Sequence, residues 1–301
     1  MPEPEFNITF FGNRSVTQTY GIYLQDQIVF SNNFKLLIGG RYDWGKNETD
    51  TFRDGIDAKV QNEGAFSPRI GLVYQPIETV SLYASYSRSF FPSSGFSRDG
   101  RAFEPTRGTQ YEVGVKTDWL DRRLAATLAA YQITKTNVLT PDRNDPGFST
   151  QTGEQQSRGI ELDIAGEILP GWKIIASYAY TNAKVTADNV TPVGNRLPSV
   201  PDNQASLWTT YQIQRGNLKG FGFGLGLFYV GERQPDLANS GTVPSYLRTD
   251  AALYYRRDRF NAAINFRNLF NVDYASFSGF GRLYIIRGEP FTITGSISWE
   301  F

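Results

Sequence analysis

The chain has 301 residues, with 30 basic and 30 acidic side chains, no Cys and no His. Balanced charge removes the electrostatic case for nucleic acid as a partner, missing Cys excludes disulfide and thiol chemistry, and missing His removes the commonest general base and transition-metal ligand. A catalytic triad is therefore not expected, while carboxylate chemistry stays open at this point; the chain as a whole is read as no enzyme, with no resident metal or cofactor.

The opening Met-Pro-Glu-Pro-Glu-Phe lacks the basic and apolar segments of a signal peptide. No run of about 18 apolar residues follows, which excludes a membrane-spanning helix. Period-two alternation instead recurs along the chain. It predicts strands over 16–30, 34–46, 67–75, 79–90, 107–118, 122–138, 155–168, 172–186, 203–214, 220–231, 248–256, 259–269 and 289–301. In the fourth, Val80, Leu82, Ala84 and Tyr86 oppose Ser81, Tyr83, Ser85 and Ser87. In the seventh, Ile160, Leu162 and Ile164 oppose Glu161, Asp163 and Ala165. Gly222, Gly224 and Gly226 form a row opposite Leu225, Leu227 and Tyr229. With no helix after them and no P-loop lysine, these glycines read as room on an inner wall, not as a phosphate loop. The last strand sets Phe291, Ile293, Ile297, Trp299 and Phe301 against Thr292, Thr294, Ser296, Ser298 and Glu300.

Short turns alternate with long loops. The tight ones include Asn32-Asn33, Leu169-Pro170-Gly171 and Arg257-Asp258; the long ones lie near 47–66, 91–106, 139–154, 187–202, 232–247 and 270–288. Segregation of loop length by end is the pattern of outer-membrane barrels, with short periplasmic turns and longer outer loops. Charges keep to the polar side, as a lipid-facing barrel requires. The expected fold is all-β: an antiparallel up-and-down transmembrane β-barrel of about 13–14 strands, with residues 5–12 the candidate extra strand, all in one domain over 1–301.

With the strands placed, several segments resemble the carboxyl-terminal barrel of TonB-dependent outer-membrane receptors, and within them the ferrichrome-type siderophore branch. They are Tyr20-Gly-Ile-Tyr-Leu-Gln-Asp-Gln27, Gly39-Gly-Arg-Tyr-Asp-Trp44, Ser67-Pro-Arg-Ile-Gly-Leu-Val-Tyr74, Ala84-Ser-Tyr-Ser-Arg-Ser-Phe90 and Tyr111-Glu-Val-Gly-Val-Lys116. Ser157-Arg-Gly-Ile-Glu-Leu-Asp163, Leu169-Pro-Gly-Trp172, Asn268-Leu-Phe-Asn271 and Gly288-Glu-Pro290 continue the series to Phe301. The resemblance implies a receptor in the outer membrane of a Gram-negative bacterium, whose barrel of about 22 strands encloses an amino-terminal plug. It implies uptake of ferric siderophores, energised by the TonB complex acting through that plug. The lipid bilayer and the barrel assembly machinery are further implied partners. Signal peptide, TonB-contacting segment and plug have no counterpart in the sequence, so the chain is expected to be the carboxyl-terminal portion of such a receptor. A passive pore or structural barrel without energised uptake is the alternative.

Candidate ligand residues are loop aromatics and cations: Phe90, Phe91, Phe96, Phe103, Tyr246, Phe277, Phe280 and Tyr284, with Arg101 and Arg282. Aromatic walls with a few donors suit a compact chelate with an organic shell, and arginines attract an anionic one. Phe148, Arg107 and Arg143 are further candidates of the same kind. Trp44, Tyr178, Tyr180, Trp208, Trp299 and Phe301 are expected in the interfacial girdle, the last two also as an assembly signal. Glu161 and Asp163, two apart on one face, have a spacing that suggests a paired-carboxylate glycosidase, but read better as a lumen-wall ladder with Arg or Lys opposite on a neighbouring strand. The acidic residues of 47–66 have no EF-hand spacing.

Overall fold

The computed structural model describes residues 13–51, 59–145, 147–278 and 285–300. Among them there is no helix. The strands are β1 (Asn13–Ser31), β2 (Phe34–Thr51), β3 (Lys59–Ile77), β4 (Val80–Phe91), β5 (Thr106–Trp119), β6 (Leu124–Pro141), β7 (Ser149–Leu169) and β8 (Trp172–Ala187). They continue with β9 (Asn203–Gln212), β10 (Phe221–Val230), β11 (Tyr246–Arg257), β12 (Phe260–Arg267), β13 (Ala275–Ser278), β14 (Ile285–Arg287) and β15 (Thr292–Trp299). Thirteen of them form one sheet in the order β1 through β12 and then β15, every neighbour antiparallel. The other two, β13 and β14, make a separate hairpin within the last long loop.

All thirteen expected strands are present. The differences lie at the outer ends. The expected 47–66 loop is largely strand, because β2 and β3 stay paired as far as Thr49 opposite Lys59. The polar Asn47, Glu48, Gln61 and Asn62 continue the ladder beyond the apolar stretch, so a reading keyed to apolar alternation ends too early. The 270–288 segment likewise contains the β13–β14 hairpin.

Register places the apolar residues on one face. Tyr20, Ile22 and Leu24 of β1 lie opposite Trp44, Tyr42 and Gly40 of β2, which lie opposite Gly64, Phe66 and Pro68 of β3. This face is largely open: Leu24 is 81% and Ile297 78% exposed. A face of Ile, Leu, Val and aromatic side chains left uncovered in water would be an aggregation surface, whereas in lipid it is the required one. No described residue pairs the free edge of β1 with that of β15. Unpaired backbone is prohibitive in hydrocarbon, so both edges need further strands. Residues 5–12, the expected source of one more, lie outside the described residues.

The opposite, polar face carries the glycine row of β10. Trp208 is the cross-strand partner of Gly226, and Tyr254 of Gly222. A Cβ at Gly226 would sit 2.6 Å from the Trp208 ring. The glycines thus let two aromatic rings lie flat on the inner wall. This corrects the girdle assignment of Trp208, which faces inward by register. Tyr178 and Tyr180 do lie on the lipid face, opposite Leu162 and Ile160. The expected cation opposite the Glu161–Asp163 ladder is also corrected. The direct partners are Ala129 and Ala179 for Glu161, and Thr127 and Ser177 for Asp163. Lys116 is the nearest cation in that row, two strands away opposite Thr127, because a closely packed wall seats small side chains beside each carboxylate.

Candidate functional site: the outer rim

The long loops gather at one end of the sheet, where most of the buried polar side chains are found. A chain of side-chain-to-backbone hydrogen bonds ties each loop to the next. Gln61, buried on β3, donates from Nε2 to the carbonyls of Ser93 (2.8 Å) and Phe103 (2.6 Å) in the β4–β5 loop. Asn47 Nδ2 donates to Ser94 Oγ at 2.6 Å from the same side. On the other side the Glu104 amide donates to Gln151 Oε1 of β7 at 2.7 Å, and Asn137 Nδ2 to the Pro105 carbonyl at 3.0 Å.

The next links are Arg143 Nε to the Asn189 carbonyl (3.0 Å) and Asn189 Nδ2 to Thr150 Oγ1 (2.9 Å), which join the β6–β7 and β8–β9 loops. Asn195 Nδ2 reaches the Leu237 carbonyl at 2.8 Å. Asn239 forms a two-way pair with the Arg196 backbone, accepting at 2.8 Å and donating at 2.9 Å. Asn239 holds a left-handed φ of 55°, which Asn tolerates better than most residues. Arg233, 3% exposed, then donates to the Ala275 carbonyl, so that the β10–β11 loop grips the β13–β14 hairpin.

That last junction is the most densely built. The Arg233 guanidinium lies 5.6 Å from the Tyr246 ring centre, and Tyr246 stacks on Tyr274 at 4.3 Å. Burial raises the Tyr246 phenol above its ordinary value, against the opposing charge of Arg233. Arg248 holds Asp250 at 3.1 and 3.0 Å, and Asp250 Oδ1 accepts the Asn268 amide at 2.9 Å. Asn268 is fully buried with φ 48°. Its side chain donates to the carbonyls of Val272 (2.9 Å) and Glu289 (3.0 Å) and accepts the Val272 amide (2.8 Å). Asn271 Oδ1 accepts the Phe291 amide at 2.9 Å, closing the loop onto β15. A Cβ at Gly288 would fall inside the Tyr274 ring, so only glycine fits there. The segments Asn268–Asn271 and Gly288–Pro290 are therefore the two ends of one clasp.

The candidate ligand residues divide between two parts of this rim. Phe96, Arg101 and Phe103 belong to the β4–β5 loop, where Phe96 bridges to Ala102. Arg98, Arg101, Phe103, Asn137, Asn144 and Gln151 line a polar cleft of about 810 Å³ between that loop and the β6–β7 loop. Phe103 is 8% exposed, its ring against Gly95, so most of it packs the loop. Arg101 is ion-paired with Asp99, and hydrogen bonds from Ser97 and Arg101 hold the Asp99 carboxyl below the usual range. Phe90 is half-buried, opposite Arg107, while Phe91 is 74% exposed at the top of the polar face. Tyr246 lies in the other part, engaged with Tyr274 as described. Phe277 sits in β13, its backbone opposite Ile286. Phe280, Arg282 and Tyr284 lie outside the described residues, as does Phe301. Trp299 ends β15, 58% exposed and 6.2 Å from the Phe260 ring. Among the described residues no group of three carboxylates is placed to hold a metal ion.

Residues 2–269 match the family described as TonB dependent receptor-like, beta-barrel. The chain belongs to that family. It is 36% identical over 298 residues, 96% of its length, to the metal-pseudopaline receptor of Pseudomonas aeruginosa. It is 38% identical over 261 residues, 85% of its length, to the ferrichrome outer membrane transporter/phage receptor of Escherichia coli K12. The ferrioxamine B receptor of Salmonella typhimurium is 30% identical over 99% of the chain. Among solved structures, the siderophore receptor PiuA of Acinetobacter baumannii superimposes with a TM-score of 0.84 and 25% identity, over 95% of this chain and 44% of its own. The chain spans 42%, 34% and 43% of the three sequence relatives' lengths. The protein is thus an outer-membrane receptor barrel of Gram-negative type, and the family is one of receptors, not enzymes.

Residues that no sequence motif marks carry much of the rim: Gln61, Arg233, Asp250 and Tyr274. The Asn268–Asn271 and Gly288–Pro290 segments were visible as pieces of resemblance. Their joint role was not, since 21 residues separate Asn268 from Glu289, whose carbonyl it holds.

Proposed function

We propose that the chain is the carboxyl-terminal part of a receptor barrel that captures a metal chelate of the siderophore class and admits it inward at the expense of the TonB complex. The observation that carries this is a family barrel whose outer loops are bonded into one continuous rim around a polar inner face. A rim ordered in advance loses less conformational entropy on binding. Chelate recognition is assigned to Phe91 and to the cleft between the β4–β5 and β6–β7 loops on one side, with Phe96, Arg101 and Phe103. On the other side it is assigned to the last outer loop, with Tyr246, Phe277, Phe280, Arg282 and Tyr284. The chelate is cargo, and no resident cofactor is assigned. Trp299 and Phe301 are assigned to the bilayer interface and to recognition by the barrel assembly machinery.

Within this class the finer reading is a ferric hydroxamate. It is supported by the likeness to receptors for ferrichrome and ferrioxamine B. The likeness to a metal-pseudopaline receptor, at 36% identity over 96% of the chain, favours a second cargo, a metal–pseudopaline complex. Uptake of radioactive iron as ferrichrome or ferrioxamine B, and of a radioactive metal as its pseudopaline complex, distinguishes them in cells expressing the complete gene. TonB-dependent uptake of one hydroxamate alone supports the finer reading. Uptake of the metal–pseudopaline complex alone overturns it in favour of the second. TonB-independent entry of every small solute sinks energised transport and leaves a passive pore.

A further inference from the structure

On the lipid-facing side, near the short turns, the last strands enclose an apolar groove of about 830 Å³. Its walls are Phe223, Leu253, Ile264 and Ile297, and Ala262 and Gly295 form the floor. Register puts all six on one face: Phe223 opposes Leu253, Leu253 opposes Ile264, Ile264 opposes Gly295 and Ala262 opposes Ile297. A Cβ at Gly295 would meet nothing within 4 Å, so the depression is open to the bilayer. Below it runs an aromatic rim in which Phe221 meets Tyr255 at 4.6 Å, Tyr255 meets Phe260 at 6.2 Å, and Phe260 meets Trp299 at 6.2 Å.

The charge beneath that rim is one-sided. The neighbouring β9–β10 and β11–β12 turns bring together Arg215, Lys219, Arg256, Arg257 and Arg259 against two acids, Asp258 and Glu300, the latter paired through its amide with the Arg259 carbonyl at 3.0 Å. The β5–β6 turn, by contrast, balances Asp118 and Asp121 with Arg122 and Arg123. Arg257 lies opposite Phe260, hence on the lipid face, and its side chain engages Tyr255. It is 64% exposed and only 3.9 Å-paired with Asp258, which leaves guanidinium donors for another acceptor. A guanidinium beside a tyrosine at the aromatic level, under a chain-wide apolar trough, matches an amphiphile with an anionic head.

We propose that this face is a binding site for an anionic phospholipid of the inner leaflet, with one acyl chain in the groove over Gly295 and the phosphate on Arg257. The proposal rests on the barrel alone and is independent of the cargo.

The test is native mass spectrometry of the protein expressed from its complete gene, in detergent, titrated with phosphatidylglycerol or phosphatidylethanolamine. Phosphatidylglycerol should be retained about fivefold more strongly, the factor of one cation near an anionic lipid. Arg257→Gln should abolish the preference, and Gly295→Leu should weaken retention of both lipids. Heat-modifiability on gels establishes that each variant is folded, and the exposed Arg257 keeps the test valid if Gly295→Leu fails to assemble. Equal retention of both lipids by the unaltered protein overturns the proposal. So does a preference untouched by Arg257→Gln, or a groove covered by a second copy of the chain, seen as a dimer that excludes lipid.

Discussion

The membrane band and the outer rim are built from the same thirteen strands by opposite rules. In the band, large apolar side chains stay exposed on one face, and what is buried is small, such as Ala65, Ala129 and Ala252. In the rim, buried polar groups gather, Gln61, Thr140, Arg233, Asp250 and Asn268, beside a few apolar ones such as Phe103, Val185 and Val243. The band relies on lipid to cover it and on a backbone ladder for order. The rim faces water, which competes for every hydrogen bond, so its loops are ordered only where a buried side chain satisfies their backbone groups. Stability in the band is therefore spread thinly over a ladder, whereas in the rim it is concentrated at a few residues.

Single substitutions should expose that difference. The largest effect is expected at Asn268→Ala, which leaves the Val272 amide and two carbonyls without partners in a buried clasp. A loss of about 4 kcal/mol should lower the guanidinium midpoint and open 269–289 to protease. Unchanged cleavage there would show that the clasp does not hold the loop. Next comes Leu225→Arg in the middle of β10, on the lipid face, with a cost of ~2–4 kcal/mol. Folding into vesicles measures it, and a neutral result would mean that this face is not in lipid. Gly226→Ala comes third: the added Cβ displaces the Trp208 ring, costing about 1–2 kcal/mol and shifting Trp fluorescence. A silent spectrum would argue against the inward Trp208.

The smallest effect is at Asp236 in the β10–β11 loop, whose carboxyl is held below its usual range by hydrogen bonds from the Ser240 hydroxyl and amide. A carboxylate with a depressed value in the folded state stabilises the loop at neutral pH. That contribution fades as the pH falls below the ordinary aspartate range. Carboxyl NMR of the protein against an Asp236→Asn control checks the direction, and a normal titration would remove this link from the rim.

The band was legible because lipid imposes a rule on every second residue. Ile160, Leu162 and Ile164 cannot trade places with Glu161 and Asp163 without placing charge in hydrocarbon, so the alternation in sequence is the register in space. The rim has no such periodicity. Gln61 acts on Phe103, 42 residues away, and Arg233 on Ala275, also 42 away; nothing local marks either pair. The same holds for Trp208, whose inward face depended on counting register from Gly226. Phe103 and Tyr246 lie at the long-loop end of the sheet. Whether such a ring meets cargo or packs its own loop is decided by neighbours that sequence spacing does not reveal.

The central claim, a barrel with its bonded rim outside and its short turns in the periplasm, is tested most directly by cysteine labelling, since the native chain has none. Val193→Cys in the β8–β9 loop and Leu218→Cys in the β9–β10 turn, 67% and 58% exposed, are introduced singly into the protein expressed from its complete gene. A membrane-impermeant maleimide applied to intact cells should label Val193→Cys at once, and Leu218→Cys only after the outer membrane is permeabilised. Labelling of Leu218→Cys in intact cells, with Val193→Cys protected, would invert the topology and contradict the account.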